Sequence, residues 1–372
     1  MTSRREILVV GAGIVGCAVA YELARRGASV EIIDDRPIGM GSTQAGAGML
    51  APFIEAREEG ALLDLTSRGL DVFEAFIAPL AGEAGASLEY HRTGTLEVAL
   101  SADALTQLPR ARAIAARHGV ASEELDSAGV RALEPGLPET ALGGLLIPAH
   151  GFVGALALTQ ALATGAERLG ARIVELGRIR RIHRSGADLV AVADRGSRSG
   201  GHVIVAAGCW SGEIEIEGAR ARVPVKPIRG QLLHLGWEGP PLNRVLFGER
   251  CYLVPWHDGT VLVGATVEDV GFDERTTAAG VRQLLDAACE LVPQASASTI
   301  VGMKAGLRPG TPDGLPIVGA SSVLPNLVYA TGHYRNGILL APLTAQLVAD
   351  ALLDQRIDPI LAHTDPARFG VL

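Results

Sequence analysis

Residues 7–16 read ILVVGAGIVG, and they leave the fold little freedom. Residues 7–10 are mostly β-branched and form a short strand. Gly11-Ala12-Gly13-Ile14-Val15-Gly16 follows at once with the spacing GxGxxG. Gly11 permits a tight turn, Gly13 lets the backbone approach a pyrophosphate, and Gly16 allows a helix to pack closely on the strand. The helix expected over residues 14–26 offers its unpaired amides and positive dipole end to phosphates. It stops at Gly27, and residues 28–33 make a second strand that ends in Asp34-Asp35. An acid at that distance accepts hydrogen bonds from a ribose 2′-hydroxyl and repels a 2′-phosphate, which disfavours NADP. The unit is an α/β dinucleotide fold, and the motif alone does not separate NAD from FAD.

The same stretch imitates a signal peptide, with a basic start and an apolar run. The regular glycines fit a strand, turn and helix better. No later apolar run is long enough to span a bilayer, so a soluble, cytoplasmic protein is expected. A net charge of -8 argues against nucleic-acid or anionic-membrane partners. The four cysteines, Cys17, Cys209, Cys251 and Cys289, form no CxxC pair and read as core fillers. The histidines show no metal-ligand spacing, so no metal site is expected. Only Lys226 and Lys304 could serve Schiff-base chemistry.

At 372 residues two units are expected. Residues 62–80 and 103–131 read as mostly helical, and residues 87–100 as strands around a turn. A helix and strand follow in residues 154–176, then a buried strand over residues 202–207. Residues 223–267 change character to long antiparallel strands, and a helix follows over residues 278–291. Short buried strands return near residues 316–318 and 327–330. The layout is interleaved: a Rossmann-like cofactor unit from residues 1–85, 150–220 and 312–372, and a largely antiparallel substrate unit from residues 86–149 and 221–311.

Residues 332–342, GHYRNGILLAP, place a tyrosine, an arginine and an asparagine between an apolar strand and an apolar helix. An arginine in such surroundings is costly unless an anion meets it. A helix starting near Asn336 would aim free amides at a ligand beneath it. Reduced flavin carries negative charge at N1–C2=O and suits such a dipole, whereas NAD has no comparable end.

GAGIVG with Asp34, GSTQAGAGML, HVIVAAGCWS, AGLRPGTPDGLPIVG and ATGHYRNGILLAP occur in the order found in the D-amino acid oxidase-like flavoproteins. The chain resembles that family over nearly its whole length, and within it the glycine oxidase, thiamine-pathway type. GLRPGTPDG together with GHYRNGILLAP carries most of the specificity. The resemblance implies that Ile14 and Val15 meet the pyrophosphate and that Asp34 and Asp35 hold the ribose side. It implies that Ser42 and Thr43 cap phosphate oxygens, that Ala47, Gly48 and Met49 lie along the isoalloxazine, and that the Ile179 backbone meets the adenine. His333, Tyr334, Arg335, Asn336, Gly337, Ile338 and Leu339 would line the flavin pyrimidine. Some relatives attach flavin through a cysteine near the LRPG segment. Gly306 stands there in this chain with no cysteine nearby, which implies non-covalent FAD. Met303-Lys304 stand where the glycine oxidase type tends to carry an aromatic residue.

An amino acid substrate would supply the missing anion. Arg308 and Arg335 can clamp its carboxylate through paired hydrogen bonds, and by resemblance Tyr252 adds a donor. The Cα–H would then pass as hydride to flavin N5 with no side-chain base assigned, and the imine would hydrolyse to a 2-oxo acid and ammonia. The resemblance implies O2 as acceptor, hydrogen peroxide as product and a homo-oligomer, with a homotetramer the form its relatives suggest. Glycine, sarcosine and small D-amino acids all stay open as substrates. A dehydrogenase with a non-oxygen acceptor and a non-catalytic flavoprotein are the alternatives. His91, His150 and His257 are expected in loops or at the surface, and Glu22 and Glu31 on solvated faces.

Overall fold

A computed structural model of the chain describes residues 6–55, 58–83, 85 and 88–372. The basic start of the chain and Ser87, on which two expectations partly fell, lie outside them. Strand β1 (Ile7–Val10) runs inside a six-stranded sheet. Its order is Ile317–Ala320, Leu327–Thr331, His202–Val205, β1, β2 (Val30–Asp34) and Arg172–Glu175. The first pair is antiparallel and every other pair parallel. Parallel strands covered on both faces read as unbroken apolar runs, and all four residues of β1 are buried.

Successive side chains of β1 feed opposite layers. Ile7 and Val9 pack with helix α1 (Ile14–Arg25) and the helices Ala155–Arg168 and Gly337–Leu353. Leu8 and Val10 pack with Ile182, Leu189 and Ala191 of a four-stranded sheet. Each such aliphatic side chain contributes roughly 1.5–3 kcal/mol by leaving water. Two acids expected on solvated faces belong to these layers instead. Glu22 is fully buried under Arg25 and Arg26, at 2.8 and 2.7 Å. Arg26 also reaches Asp350 at 2.7 Å, which ties the end of α1 to the C-terminal helix. Glu31 is buried beneath Arg172 and Arg198, both at 2.9 Å. Burial is tolerable because each carboxylate keeps two cationic partners.

The second large sheet has eight strands: Thr299–Gly310, Lys226–Gly236, Thr260–Gly264, Tyr252–Pro255, Val245–Phe247, Thr95–Ala99, Gly143–Ile147 and Glu123–Asp126, in that order. All neighbours are antiparallel except Val245–Phe247 against Thr95–Ala99. Two local expectations change here. Tyr90–His91 and Thr95–Ala99 do not pair with each other; the first joins Gly151–Val153 and the second Gly143–Ile147. The stretch over residues 103–131 is helix only to Arg117, then a strand and a short helix. Gly119, at φ 71°, ends the first helix in a conformation that side chains resist.

Strand Thr299–Gly310 links the two sheets. Its first half is largely exposed, while Leu307 enters the core beneath the parallel sheet. Arg308 is thereby delivered to the end of that sheet where β1 and β2 finish. Among the described residues no helix is long and apolar enough to cross a membrane.

Candidate active site

One cleft opens at the carboxyl ends of the parallel strands, the usual ligand position in open α/β sheets. It encloses about 1570 Å³ of empty space, open mouth included. Val10, Ile33 and Ala330 floor it, and residues from both large sheets wall it.

The glycine turn is built by close approach. A Cβ on Gly11, which has φ 112°, would meet Ala206 O at 2.5 Å, and one on Gly16 would meet Gly11 O at 1.9 Å. Gly13 differs, because its Cβ would meet only Thr43 Oγ1 at 3.6 Å. The space over Gly13 thus belongs to the cleft, as a backbone that approaches a pyrophosphate requires. Gly16 packs behind the turn, whereas Gly11, Gly13, Ile14 and Val15 line the cleft. Thr43 Oγ1 accepts from the Ile14 amide at 3.2 Å and so caps α1 from a distant loop. Val15, like any first-turn residue, has no carbonyl four residues back inside the helix. Ser42 turns its hydroxyl to donate to Leu307 O, which fastens this loop to the Arg308 strand.

Asp34 and Asp35 both line the cleft, with different partners. Asp34 Oδ2 accepts from the Ala12 amide at 2.5 Å, and its Oδ1 accepts from the Asp35 and Arg36 amides at 2.7 and 2.9 Å. Burial raises the Asp34 pKa, against the pull of those amides. Asp35 meets Arg178 at 3.3 Å. Beyond them Arg36 lies 4.4 Å over the Trp210 ring, Arg178 lies at 5.8 Å, and Phe272 packs at 6.0 Å. Arg36 is also paired to Glu274 at 2.8 Å. Trp210, Arg36 and Arg178 line the cleft beside Ile179, and sequence reasoning did not select them. The tryptophan of HVIVAAGCWS, just past a buried strand, was the available signal.

Ala47, Gly48 and Met49 line the opposite wall. Gly48 has φ 73°, and a Cβ there would fall 1.8 Å from Val153 O. The turn over residues 333–339 closes the far side. Tyr334 adopts φ 48°, an outlier for a bulky residue, and its amide donates to Pro309 O at 3.0 Å. His333 is buried, shares a 3.0 Å hydrogen bond with Thr344 Oγ1, and is pushed down to about 4 by burial, so it is neutral at pH 7. Asn336 is buried at the start of helix Gly337–Leu353.

Arg308, Arg335 and Tyr252 reach this cleft from three elements. Arg308 is half-buried; its Nη1 donates to Thr266 O at 3.0 Å and to Arg229 O at 3.5 Å. Among the described residues no carboxylate lies within ion-pair distance of it. Asp313, five residues further along the chain, is paired with Arg368 at 2.7 Å. Tyr252 is buried and stacks 6.3 Å from Phe247. Gly264, its cross-strand partner, leaves room for the phenol, since a Cβ there would fall 2.3 Å from the Tyr252 hydroxyl oxygen. Arg335 corrects an expectation. It lines the cleft mouth but is exposed, and Asn336 is the enclosed residue of the turn. A guanidinium costs least where it keeps its hydration. Met303 and Lys304 do not line the cleft; Met303 is 49 % exposed.

His150 also departs from expectation. It is fully buried, stacks 5.9 Å from Phe53, and is pushed down to about 3, mainly by burial and then by Arg92. His91 is half-buried against the exposed His257, with ring centroids 4.2 Å apart.

A glycine-lined groove at the sheet end, with a guanidinium and a phenol brought in by a second sheet, fits an oxidoreductase that works on a bound nucleotide cofactor. The chain belongs to the DAO family of FAD dependent oxidoreductases, whose profile matches residues 6–351. It is an FAD-dependent flavoprotein. It is similar to the bifunctional protein ThiO/ThiG of Nostoc sp. strain PCC 7120, 36% identical over 96% of this chain and 54% of that protein. The chain thus spans about half the length of that bifunctional relative. It is 30% identical to the glycine oxidase of Bacillus licheniformis over 95% of this chain and 94% of that one. The crystal structure of glycine oxidase from Geobacillus kaustophilus superposes with a TM-score of 0.93 at 32% identity, covering 99% of both chains.

The cleft fits FAD on its own geometry, through the open space over Gly13, the amide end of α1 and the Trp210 wall. Of the residues expected to bind it, all but Gly16 line that cleft.

Proposed function

We propose that the chain oxidises glycine, with sarcosine and small D-amino acids in the same substrate class. Glycine, O2 and water would give glyoxylate, ammonia and hydrogen peroxide. The observation that carries this reading is Arg308: a half-buried guanidinium in the cofactor cleft, steadied by two backbone carbonyls and with no carboxylate at ion-pair distance among the described residues. Neighbouring arginines differ. Arg36, Arg178 and Arg229 all meet acids.

Bound FAD supplies the two-electron acceptor for the oxidation. The glycine turn, Val15 and Thr43 side of α1 would hold its pyrophosphate, with Ile14 beside them. Asp34 and Asp35 would face its ribose side. Residues 47–49 and 333–339 would flank its ring. Arg308 binds the substrate carboxylate as a planar fork, Arg335 approaches it from the mouth, and Tyr252 adds a phenol donor. Those contacts fix the orientation of Cα, which supplies catalysis by positioning. No side-chain base is assigned: burial pushes His333 down to about 4, which makes it a weak base, and its ring is engaged with Thr344. Met49 and Tyr252 line the site, and one methylene of substrate is worth only about 1–3 kcal/mol of discrimination.

The binding is assigned as non-covalent, since among the described residues no cysteine lines the cleft; acid precipitation should leave the flavin in the supernatant. We assign two interleaved units, with the boundaries given above, and a homo-oligomer. The exposed Ile300, Val301 and Met303 on an edge strand support self-association, and light scattering reads it. The likeness to a ThiO/ThiG protein supports a place in thiamine biosynthesis. The test is aerobic incubation with glycine. Equal amounts of peroxide and glyoxylate are expected. Turnover only with an artificial dye would make the protein a dehydrogenase, and no turnover would reject the reading.

A further inference from the structure

We infer that Gly230 is a positioning residue, whose missing side chain is the space in which the Arg308 guanidinium rests. The inference relies on the carboxylate role just proposed for Arg308. In the pairing of Lys226–Gly236 with Thr299–Gly310, Ile228 stands opposite Arg308 and Gly230 opposite Gly306. Opposed residues and those two apart share one face of a sheet, so Arg308 can cross diagonally onto position 230. It does so. A Cβ on Gly230 would lie 2.2 Å from Nη2, 2.3 Å from Cζ and 2.4 Å from Nη1. Three atoms of one planar group are involved, so rotating the tip does not relieve the overlap. The guanidinium would have to lift by about 1 Å or more to reach ordinary contact distance. Lifting it breaks the 3.0 Å bond to Thr266 O.

That carbonyl is itself held firmly. The Thr266 hydroxyl accepts from the Gln231 amide at 2.9 Å and donates to Glu268 at 2.6 Å, and Glu268 pairs with Arg229 at 2.6 Å. The anchor therefore stays while the guanidinium moves. The backbone at Gly230 does not itself require glycine, because Gly230 is absent from the positive-φ residues. Alanine fits such a strand conformation without strain. The arginine, not the sheet, needs the glycine.

The experiment compares Gly230→Ala, Arg308→Ala and the double variant for kcat/KM with glycine, FAD content and Tm. Displacement of a binding group by about 1 Å predicts a loss on the order of 10²-fold in Gly230→Ala, with FAD content and Tm unchanged. In the Arg308→Ala background the same glycine change should cost less than about twofold, since a residue acting through another gives non-additive effects. Full activity of Gly230→Ala, or an equal loss in both backgrounds, overturns the inference. So does a Gly230→Ala chain that fails to fold, because the glycine would then serve the sheet. If the parent protein does not oxidise glycine, the function reading fails separately. Acetate binding, read by perturbation of the flavin spectrum, then decides: at least tenfold weaker in Gly230→Ala supports the role of Gly230, and equal affinity refutes it.

Discussion

The two large sheets present their cleft-lining groups in different ways. In the parallel sheet the work falls to main chain: the turn after β1, the amides at the start of α1, and glycines that meet neighbouring carbonyls. In the antiparallel sheet it falls to side chains, Arg308 and Tyr252, each resting where a cross-strand glycine leaves room. Main-chain binding writes itself into a short motif, because only glycine satisfies the geometry. Side-chain binding depends on register between distant strands, which no local spacing encodes.

Main-chain lining extends to Gly48, beside the pairing of Met49–Leu50 with Gly151–Val153, and Gly48→Ala breaks it most severely. A methyl group 1.8 Å from Val153 O, at φ 73°, leaves no room for a small adjustment. We expect purified protein without FAD, seen as loss of the yellow colour. Arg308→Ala tests the second arrangement. Losing a partly buried charge-assisted contact costs about 2–5 kcal/mol, so kcat/KM for glycine should fall on the order of 10³-fold while FAD content holds. If FAD is lost too, the two sheets are not separable in the way described.

Stability against pH sharpens the contrast further. Burial depresses His150 to about 3 and His333 to about 4. A depressed histidine stabilises the fold fully above its unfolded pKa of about 6.5, and that contribution is lost as pH falls toward the folded value. Stability should therefore fall by a few kcal/mol between pH 6.5 and pH 4, and Tm should fall with it. His150→Leu should flatten part of that slope, and an unchanged slope would show that the histidine is not held neutral. The smallest effect belongs to Thr43→Ala. It removes the cap on Ile14, worth about 1 kcal/mol, and should weaken FAD binding several-fold with little change in kcat.

The legibility of the chain follows the same division. Residues 7–34 could be read nearly element by element, because strand, glycines and helix are consecutive. Arg308 and Arg335 were visible as polar residues fenced by glycine and proline, yet their burial was not: Arg335 proved exposed. Trp210 and Arg178 went unselected because their role arises only when separate strands converge on one wall. Glu31 looked solvated because its partners Arg172 and Arg198 come from distant strands that periodicity does not reveal; Glu22 meets Arg25 and Arg26 one turn along its own chain, and only the packing of two other helices around α1 hid its burial. His150 was read as a surface group for a similar reason, since nothing local announces Phe53 stacked against it.

The central claim is that the cleft grips an amino acid by its carboxylate above the flavin. Anaerobic mixing tests it directly, with glycine in one syringe experiment and methylamine, which lacks the carboxylate, in another. Glycine should bleach the oxidised-flavin band and methylamine should leave it intact. Equal bleaching by both, or none by glycine, would contradict the account.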